Sequence, residues 1–191
     1  GDLRKALVEA GLSMLEEFGL EGLSLRKIAA RVGVSHAAPE HHFPSLRHLL
    51  NALAVEGFGS FRQSMLSHMQ AQPKLPADQM RAALRGYLAF ATEKPHLFRL
   101  MFNLNRLDWQ DPALCEAGEA AHAVLEEISA PVARRMGLDT PEGRASVEQL
   151  VWSQIHGHAH LMIDGKLQRE DGTGHEPFVA PLDLASVLLP E

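Results

Sequence analysis

Residues 24–43 constrain the fold of this chain more than any other stretch, because their pattern predicts two short helices joined by a tight turn. Ser24 is a suitable N-cap, since a serine hydroxyl can accept a backbone N–H in the first helical turn. Gly33 stands where that helix must end, because glycine tolerates the left-handed conformation that follows a helix. Ser35 is placed to cap a second helix that runs toward Phe43. The apolar stripe of the first helix consists of Leu25, Ile28, Ala29 and Val32.

Two short helices around a glycine-containing turn form the helix-turn-helix layout, in which the second helix enters the major groove of DNA. Residues 2–18 precede this pair as an amphipathic helix that ends at Gly19 and can brace it. A long helix follows, with Ser45 as its cap and its end near Met69. The start of the chain is therefore predicted to be a three-helix DNA-binding domain.

The remaining residues also place apolar side chains at helical spacing, so the predicted fold class is all-α. Asp78 can cap one helix, and Asp111 and Thr140 each precede a proline at a first helical position. Pro131 predicts a kink or a break. Residues 166–181, rich in glycine, proline and charge, predict a mobile loop. The predicted helices after the long one cover 78–93, 95–102, 112–136, 141–164 and 183–189.

The helix over 141–164 has apolar residues on two sides. A helix of this kind must be covered on both sides. We expect one side to pack on its own chain and the other on a second copy of the chain. The first stripe is Val147, Leu150, Val151, Leu161 and Met162, and the second is Trp152, Ile155, Ala159 and Ile163.

The acidic charge lies in the later part of the chain. The net charge is −6, yet residues 1–50 hold six Lys/Arg and six Asp/Glu. A neutral DNA-binding part is less basic than is usual, which counts against high affinity unless dimerisation or a basic N-terminal arm adds charge. The single cysteine, Cys115, excludes an internal disulfide and fits a reducing cytoplasm. No stretch approaches the roughly 18 apolar residues of a membrane span, so no membrane partner is expected.

The chain resembles the tetracycline-repressor-type (TetR) regulators in two segments. The first is Ile28-Ala29-x-x-x-Gly33-Val34-Ser35 with His42-Phe43 and Pro44-Ser45, which resembles the family's DNA-binding domain. The second is Trp152 with His156-Gly157, which resembles the Trp-His-Gly signature of one branch of TetR C-terminal domains.

The resemblance implies a cytoplasmic, homodimeric, ligand-responsive regulator of transcription that is not an enzyme and needs no cofactor. It is expected to repress from a palindromic operator and to be released by a small apolar or aromatic effector. The expected domains are an N-terminal helix-turn-helix domain over 1–50 and a helical ligand-binding and dimerisation domain over 51–191. The long helix over 45–69 links them.

The resemblance also implies which residues bind double-stranded DNA. Residues 35–42 would be the recognition helix, whose side chains read base edges in the major groove. The N-termini of the preceding helix and of the long helix would contact phosphate. The expected DNA-binding residues are Ser24, Arg26, Ser35, His36, Ala37, His41, His42, Ser45 and Arg47.

Two positions depart from the family pattern. Glu40 stands where these proteins usually carry a tyrosine, and Leu46 stands where they usually carry a lysine. Both usual residues touch phosphate, whereas a carboxylate repels phosphate and a leucine carries no charge. Either the contacts shift to His42, Arg47 and His48, or DNA affinity is reduced. A helical dimer with weakened DNA binding that acts as a ligand- or protein-binding module is therefore the alternative function.

A set of aromatic residues and methionines is typical of an adaptable apolar pocket, although the same residues equally suit an ordinary core. This lining fits a lipophilic or aromatic effector better than a charged one. The expected ligand-binding residues are Phe61, Met65, Phe90, Phe98, Met101, Phe102, Trp109, Trp152 and His156.

Metal binding and catalysis are the remaining alternatives. His156 and His160 are spaced i, i+4 and could share a zinc ion, but such a site needs a third ligand. His122 and Cys115 are conceivable third ligands, and no metal site is predicted. The chain has no glycine-rich phosphate loop, nucleophile elbow or Cys-x-x-Cys motif, so no enzymatic function is predicted.

Overall fold

The computed structural model describes residues 3–167 and 183–190, and all regular structure in these ranges is helical. The predicted all-α class is therefore confirmed. The α-helices are α1 (Leu3–Phe18), α2 (Leu25–Val32), α3 (Leu46–Gln70), α4 (Pro76–Glu93), α5 (Pro95–Met101), α6 (Pro112–Arg135), α7 (Pro141–Ile163) and α8 (Leu184–Leu188). Two short 3₁₀ helices, Leu20–Gly22 and Ala38–His41, lie between them.

The chain divides into two compact units. The first unit contains Gly1–Gly59 and Lys94–Gly118, and the second contains Ser60–Glu93 and Glu119–Glu191. Compactness does not assign a function, so the functional domains over 1–50 and 51–191 stay a prediction. All but two residues of the predicted mobile loop over 166–181 lie outside the described residues.

The first unit packs α1 against α2 and against α5. Ser24 caps α2 as predicted, because its backbone is extended and its Oγ accepts a hydrogen bond from the Lys27 amide. Gly33 ends α2 in the left-handed conformation, with φ 79° and ψ 28°. The core between these helices includes the fully buried side chains of Leu7, Leu15, Ile28, Leu49 and Leu53.

The predicted recognition helix over 35–42 is only partly present, because the structure has the four-residue 3₁₀ helix Ala38–His41 there. The cause is Pro39, which has no amide hydrogen and cannot donate to the Ser35 carbonyl as an α-helix requires. That carbonyl accepts from the Ala38 amide instead, at 3.1 Å, in a tighter turn. Ser35 consequently caps no helix, and the 3₁₀ helix has no side-chain cap.

The predicted starts of the later helices are partly correct. Thr140 accepts from the Gly143 amide and caps α7, and Asp111 accepts from the first amides of α6. Asp78 is not a cap, because α4 begins two residues earlier at Pro76. Pro131 was predicted to cause a kink or a break; the break is wrong, since α6 continues through that residue to Arg135, and the kink stays a prediction.

Within its own chain, helix α7 has one buried stripe, as expected, but the residues of this stripe come from both of the predicted ones. Its buried side chains are Val147, Val151, Ile155, Ala159 and Met162. These positions repeat every three or four residues and form the side that packs against α4 within the second unit. Leu150 and Leu161, assigned to the first predicted stripe, are 42% and 46% exposed, and Trp152 is 39% exposed. The described residues of the same chain therefore leave Leu150 and Leu161 uncovered.

Close helix packing in the second unit depends on Gly86. A Cβ atom at this position would lie 2.6 Å from the Met65 Cα atom and 2.6 Å from the Ser64 carbonyl oxygen. The backbones of α3 and α4 can therefore approach this closely only because residue 86 has no side chain. Among the described helices, none is long and apolar enough to cross a membrane.

Candidate functional site

The segment between α2 and α3 holds the predicted DNA-reading side chains at the surface. Its backbone is anchored by Pro39 and Phe43, which are both buried. The Pro39 carbonyl accepts hydrogen bonds from the His42 and Phe43 amides, at 2.9 and 2.8 Å. The exposed side chains around this anchor are Ser35, His36, Ala37, His41 and His42, together with Glu40.

The N-terminus of α2 provides the second predicted DNA contact. Ser24 Oγ already accepts the Lys27 amide at 3.2 Å, so the serine acts as a cap. Lys27 Nζ donates to the Gly22 carbonyl at 3.0 Å, which holds the lysine beside its own helix. Arg26 is exposed at this end of the helix. A helix N-terminus with an exposed arginine beside it is suited to binding a phosphate.

The start of α3 is more strongly engaged in internal contacts than the sequence suggested. Arg47 donates through Nη2 to the Asn105 carbonyl at 3.2 Å. Ser45 Oγ lies 2.8 Å from His48 Nδ1. Arg47 would have to leave Asn105 in order to reach a phosphate, and Ser45 and His48 already bind each other.

The side chain of Asn51 on α3 binds the loop before α6 through hydrogen bonds that the sequence did not predict, and we call this set of bonds the Asn51 clamp. Asn51, which is 3% exposed, donates through Nδ2 to the Asp108 carbonyl and to Asp111 Oδ2, both at 3.2 Å. Its Oδ1 accepts from the Asp108 amide at 3.0 Å. The hydrogen bond from Asn51 is the main reason that the pKa of Asp111 is lowered. The only sequence signal for this clamp was an asparagine among the apolar residues of a helix.

Two further contacts join the segment Lys94–Gly118 to the helix-turn-helix inside the first unit. Glu16 Oε1 on α1 accepts from the Leu97 amide at 2.8 Å. Arg106 Nη2 donates to Glu21 Oε1 at 2.6 Å. With the Asn51 clamp, these contacts make α5 and the following loop part of the same body as the predicted DNA-binding residues.

Four of the nine predicted effector residues belong to the first unit. Phe58, which was not predicted, lies between two of them: its ring centroid is 5.7 Å from that of Phe102 and 5.8 Å from that of Trp109. Phe98 lies 5.1 Å from Phe102, measured between ring centroids. Trp109 Nε1 is buried and has no hydrogen-bond partner among the described residues. Met101, the fourth predicted residue, is completely buried.

The other five predicted effector residues belong to the second unit. Phe61 packs edge-on against Tyr87 at 4.7 Å and lies 5.3 Å from Phe90, measured between ring centroids. Tyr87 Oη lies 2.8 Å from His156 Nδ1, and His156 Nε2 lies 3.2 Å from His160 Nε2. Tyr87 and His160 were not among the predicted site residues. The remaining two predicted residues are Met65, which is buried, and Trp152, whose ring lies 6.0 Å from that of His156.

Tyr87 and His156 are both uncharged near neutral pH. Burial, with His160 as a second cause, lowers the pKa of His156 to about 4. Burial raises the pKa of the Tyr87 phenol. When the Tyr87 phenol donates to His156 Nδ1, the hydrogen of this neutral ring is on Nε2, the atom that lies beside His160 Nε2. Tyr87 and His156 are therefore suited to hydrogen bonding with an uncharged ligand.

Comparison with known proteins gave matches along most of the chain. The family model described as "Bacterial regulatory proteins, tetR family" matches residues 7–53. The model described as "Tetracyclin repressor-like, C-terminal domain" matches residues 80–181. Neither match tests the more specific resemblance to the Trp-His-Gly branch, which stays a prediction.

Curated relatives and solved structures agree with these matches. The chain is 35% identical over 85 residues to the tetracycline repressor protein class C of Escherichia coli, covering 44% of this chain and 35% of that protein. It is 28% identical over 115 residues to the HTH-type transcriptional regulator BetI of Escherichia coli O17:K52:H18 (strain UMN026 / ExPEC), covering 51% of this chain and 59% of that protein. A solved protein of unknown function from Rhodococcus sp. RHA1 has a TM-score of 0.76 and 30% identity, covering 98% of this chain and 91% of that one. The chain thus spans less than two thirds of the length of both curated relatives.

Proposed function

This chain belongs to the TetR family of bacterial regulatory proteins, and we propose that it represses transcription by binding a palindromic operator as a homodimer until a small apolar or aromatic effector releases it. The observation that carries this proposal is the exposed turn over 35–42. Its polar side chains face outward while Pro39 and Phe43 hold its backbone in the core. A polar, exposed turn that directly follows a well-capped helix has the form of a DNA-reading element.

In this proposal the turn reads base edges and the flanking helices hold the phosphates. His36 and His41 can donate or accept hydrogen bonds in the major groove, and Ser35 can do both. Arg26 at the N-terminus of α2 binds a phosphate. Two protomers place their reading turns about one DNA turn apart, roughly 34–36 Å or a multiple of it, which calls for a palindromic operator.

The proposed dimer uses the outer side of α7. Leu150 and Leu161 are exposed on this helix, seven and four residues away from Gly157 on the same helical stripe. A Cβ atom added at Gly157 would meet nothing of the described structure within 4 Å, so this part of the helix is open. A glycine between two exposed leucines lets a second helix approach closely and cover both.

The proposed effector acts on the DNA-reading turn through the aromatic group around Phe58. Phe98, Phe102 and Trp109 lie in the same compact unit as the DNA-reading turn. An effector that displaces them therefore acts directly on the body that carries the turn. The buried Trp109 Nε1 offers it a hydrogen-bond donor. Release from DNA requires that the effector bind the released conformation more tightly, with a coupling free energy of roughly 1–3 kcal/mol.

A substitution at Glu40 tests the proposed binding to operator DNA. The test measures binding of the protein to its own promoter DNA by fluorescence anisotropy at salt concentrations between 50 and 200 mM. Over this range, a protein that makes roughly six to ten phosphate contacts loses about 10³- to 10⁵-fold in affinity as the salt concentration rises. Glu40→Gln removes a carboxylate from the reading turn and should tighten binding roughly 2- to 10-fold at low salt. The gain should shrink as salt screens the charge. Glu127→Gln, an exposed carboxylate on α6, should leave the affinity unchanged.

The alternative function predicts a different result. If Glu40 and Leu46 have abolished DNA binding, no complex forms even at 50 mM salt and Glu40→Gln has nothing to improve. Suppose that neither wild type nor Glu40→Gln binds the DNA, while an aromatic ligand still raises the melting temperature. This result would support a ligand-binding module and contradict the proposed repressor.

A further inference from the structure

Helices α6 and α7 bring one histidine and two carboxylates together within the second unit. His122 and Glu126 are one helical turn apart on α6, and Glu148 is on α7. One nitrogen or oxygen atom from each of the three residues lies within 4.8 Å of the atoms from the other two. Ligand atoms bound to one metal ion at roughly 2.0–2.6 Å have separations in this range.

His122 and Glu148 form an ion pair when the imidazole ring is protonated. His122 Nε2 lies 2.5 Å from Glu148 Oε1. Apart from this ion pair, that oxygen is enclosed without a hydrogen-bond partner in the described part of the chain. A divalent ion bound by both residues would take the place of the proton between them and would move the two atoms farther apart.

The charge of the cluster also calls for a cation. Glu126 and Glu148 are like charges, and the Glu148 side chain is only 16% exposed, so water screens it poorly. A divalent ion would neutralise both carboxylates and would complete the contact of the enclosed oxygen.

We propose that His122, Glu126 and Glu148 form a binding site for a divalent transition-metal ion of the zinc type. One imidazole nitrogen with two carboxylate oxygens is a donor set that Zn²⁺ accepts, and Mn²⁺ and Fe²⁺ are chemically related alternatives. Three protein ligands leave a further position for water or for a donor atom of a bound molecule. The ion ties α6 to α7.

The nearby histidine pair is the competing location for such an ion. His156 and His160 provide only two nitrogens at the required spacing, and the other ring nitrogen of His156 is already bound by Tyr87. The carboxylate cluster has three donors from two helices, which is why we assign the ion to it.

The test is a calorimetric titration of the full chain, free of any histidine tag and stripped of metal, with ZnCl₂. Wild type should bind one ion per chain at this site. Because loss of even an outer partner of a metal ligand lowers affinity roughly 10- to 100-fold, Glu126→Gln and Glu148→Gln should each weaken binding at least tenfold. Glu127→Gln, the exposed neighbour on the same helix, is the matched control and should bind as wild type does.

Two further measurements distinguish this site from the histidine pair and from nonspecific binding at the surface. Zn²⁺ should raise the melting temperature of wild type and of Glu127→Gln but not of Glu126→Gln, whose exposed side chain is not needed for folding. Co²⁺ should quench the fluorescence of Trp152, whose ring lies 6.2 Å from that of His122, in wild type but not in Glu148→Gln. Wild-type affinity in both glutamine variants would overturn the assignment. Binding lost only in His160→Gln would move the ion to the histidine pair and would equally overturn it.

Discussion

Gly33 determines where α2 ends and where the reading turn begins. Its φ of 79° lies in the left-handed region, which costs an L-residue with a side chain roughly 1–2 kcal/mol. The space around it is open, because an added Cβ atom would meet no described atom within 4 Å. Any penalty for a side chain at this position is therefore a backbone penalty and not a steric clash with neighbours.

Gly33→Ala should therefore lower the free energy of unfolding by roughly 1–2 kcal/mol, measured by denaturant titration. Gly59→Ala is the matched control, since Gly59 is equally open but lies within α3. It should raise the free energy of unfolding, by up to about 1 kcal/mol, through helix propensity. Equal effects of the two substitutions would show that backbone conformation does not distinguish them.

His156 makes the stability of the protein sensitive to acid. Burial, followed by the neighbouring His160, lowers its pKa from 6.5 to about 4, and burial lowers the pKa of His158 as well. Between pH 6.5 and pH 4 the unfolded chain therefore binds more protons than the folded one. The stability due to neutral His156 is complete above pH 6.5 and is lost as the pH falls toward 4.

His156→Gln should flatten this acid dependence. The free energy of unfolding of wild type should fall more between pH 7 and pH 4.5 than that of the variant. The difference should stay below the limit of about 1.4 kcal/mol per pH unit for one proton, because the ring is partly exposed. Denaturant titrations at four pH values suffice, and parallel profiles for the two proteins would contradict the expectation.

At the scale of elements, the segment over 94–118 is held to the helix-turn-helix body by side chains far from it in sequence. The Asn51 clamp contributes three hydrogen bonds to the loop before α6. Removing one partner of a buried hydrogen bond leaves the other partner without water or protein contact, at a cost of roughly 1–3 kcal/mol. The clamp also fixes Asp111, which caps α6.

Asn51→Ala should destabilise the first unit by roughly 1–3 kcal/mol. Asn103→Ala removes a single hydrogen bond, between its Oδ1 and the Asn105 amide in an exposed part of the same loop. Its cost should be below about 1 kcal/mol. Hydrogen exchange of the Asp108 amide gives a direct readout, since its protection should fall in Asn51→Ala and persist in Asn103→Ala.

At the scale of the whole molecule, the proposed dimer depends on the uncovered side of α7. The side chains of α7 that face α4 are buried, whereas Leu150 and Leu161 remain exposed. Covering two leucines removes apolar surface from water, which is worth roughly 25 cal/mol per Å². The proposed regulator needs this contact, because one protomer reads only half of a palindrome.

Light scattering after gel filtration should give wild type twice the chain mass of 21.0 kDa. The double variant Leu150→Glu with Leu161→Glu should elute as a monomer and bind DNA more weakly, because charged side chains would have to be buried at the contact. Leu75→Glu with Leu104→Glu is the control, since both leucines are exposed and neither belongs to α7. A double variant on α7 that stays dimeric would place the dimer contact elsewhere.

The sequence predicted well the features that depend on neighbouring residues. Ser24 caps α2 and Gly33 ends it, and Thr140 caps α7, because these roles depend on a hydroxyl or a free φ within a few residues. The recognition helix was predicted to be too long, although the cause of its shortness was also local. The missing amide of Pro39 outweighed the helical pattern of the surrounding residues.

By itself, the sequence determined the all-α class, the positions of most helices and the family. The reason is that the spacing of apolar residues, the helix caps and the family motifs each depend on a short stretch of the chain. Only the tertiary structure decided which side of α7 is buried, that Asn51 holds Asp108, and that Glu148 lies beside His122. Each of these depends on how helices distant in sequence pack together. A helical period states which residues share a side, but the partner helix decides which side is covered.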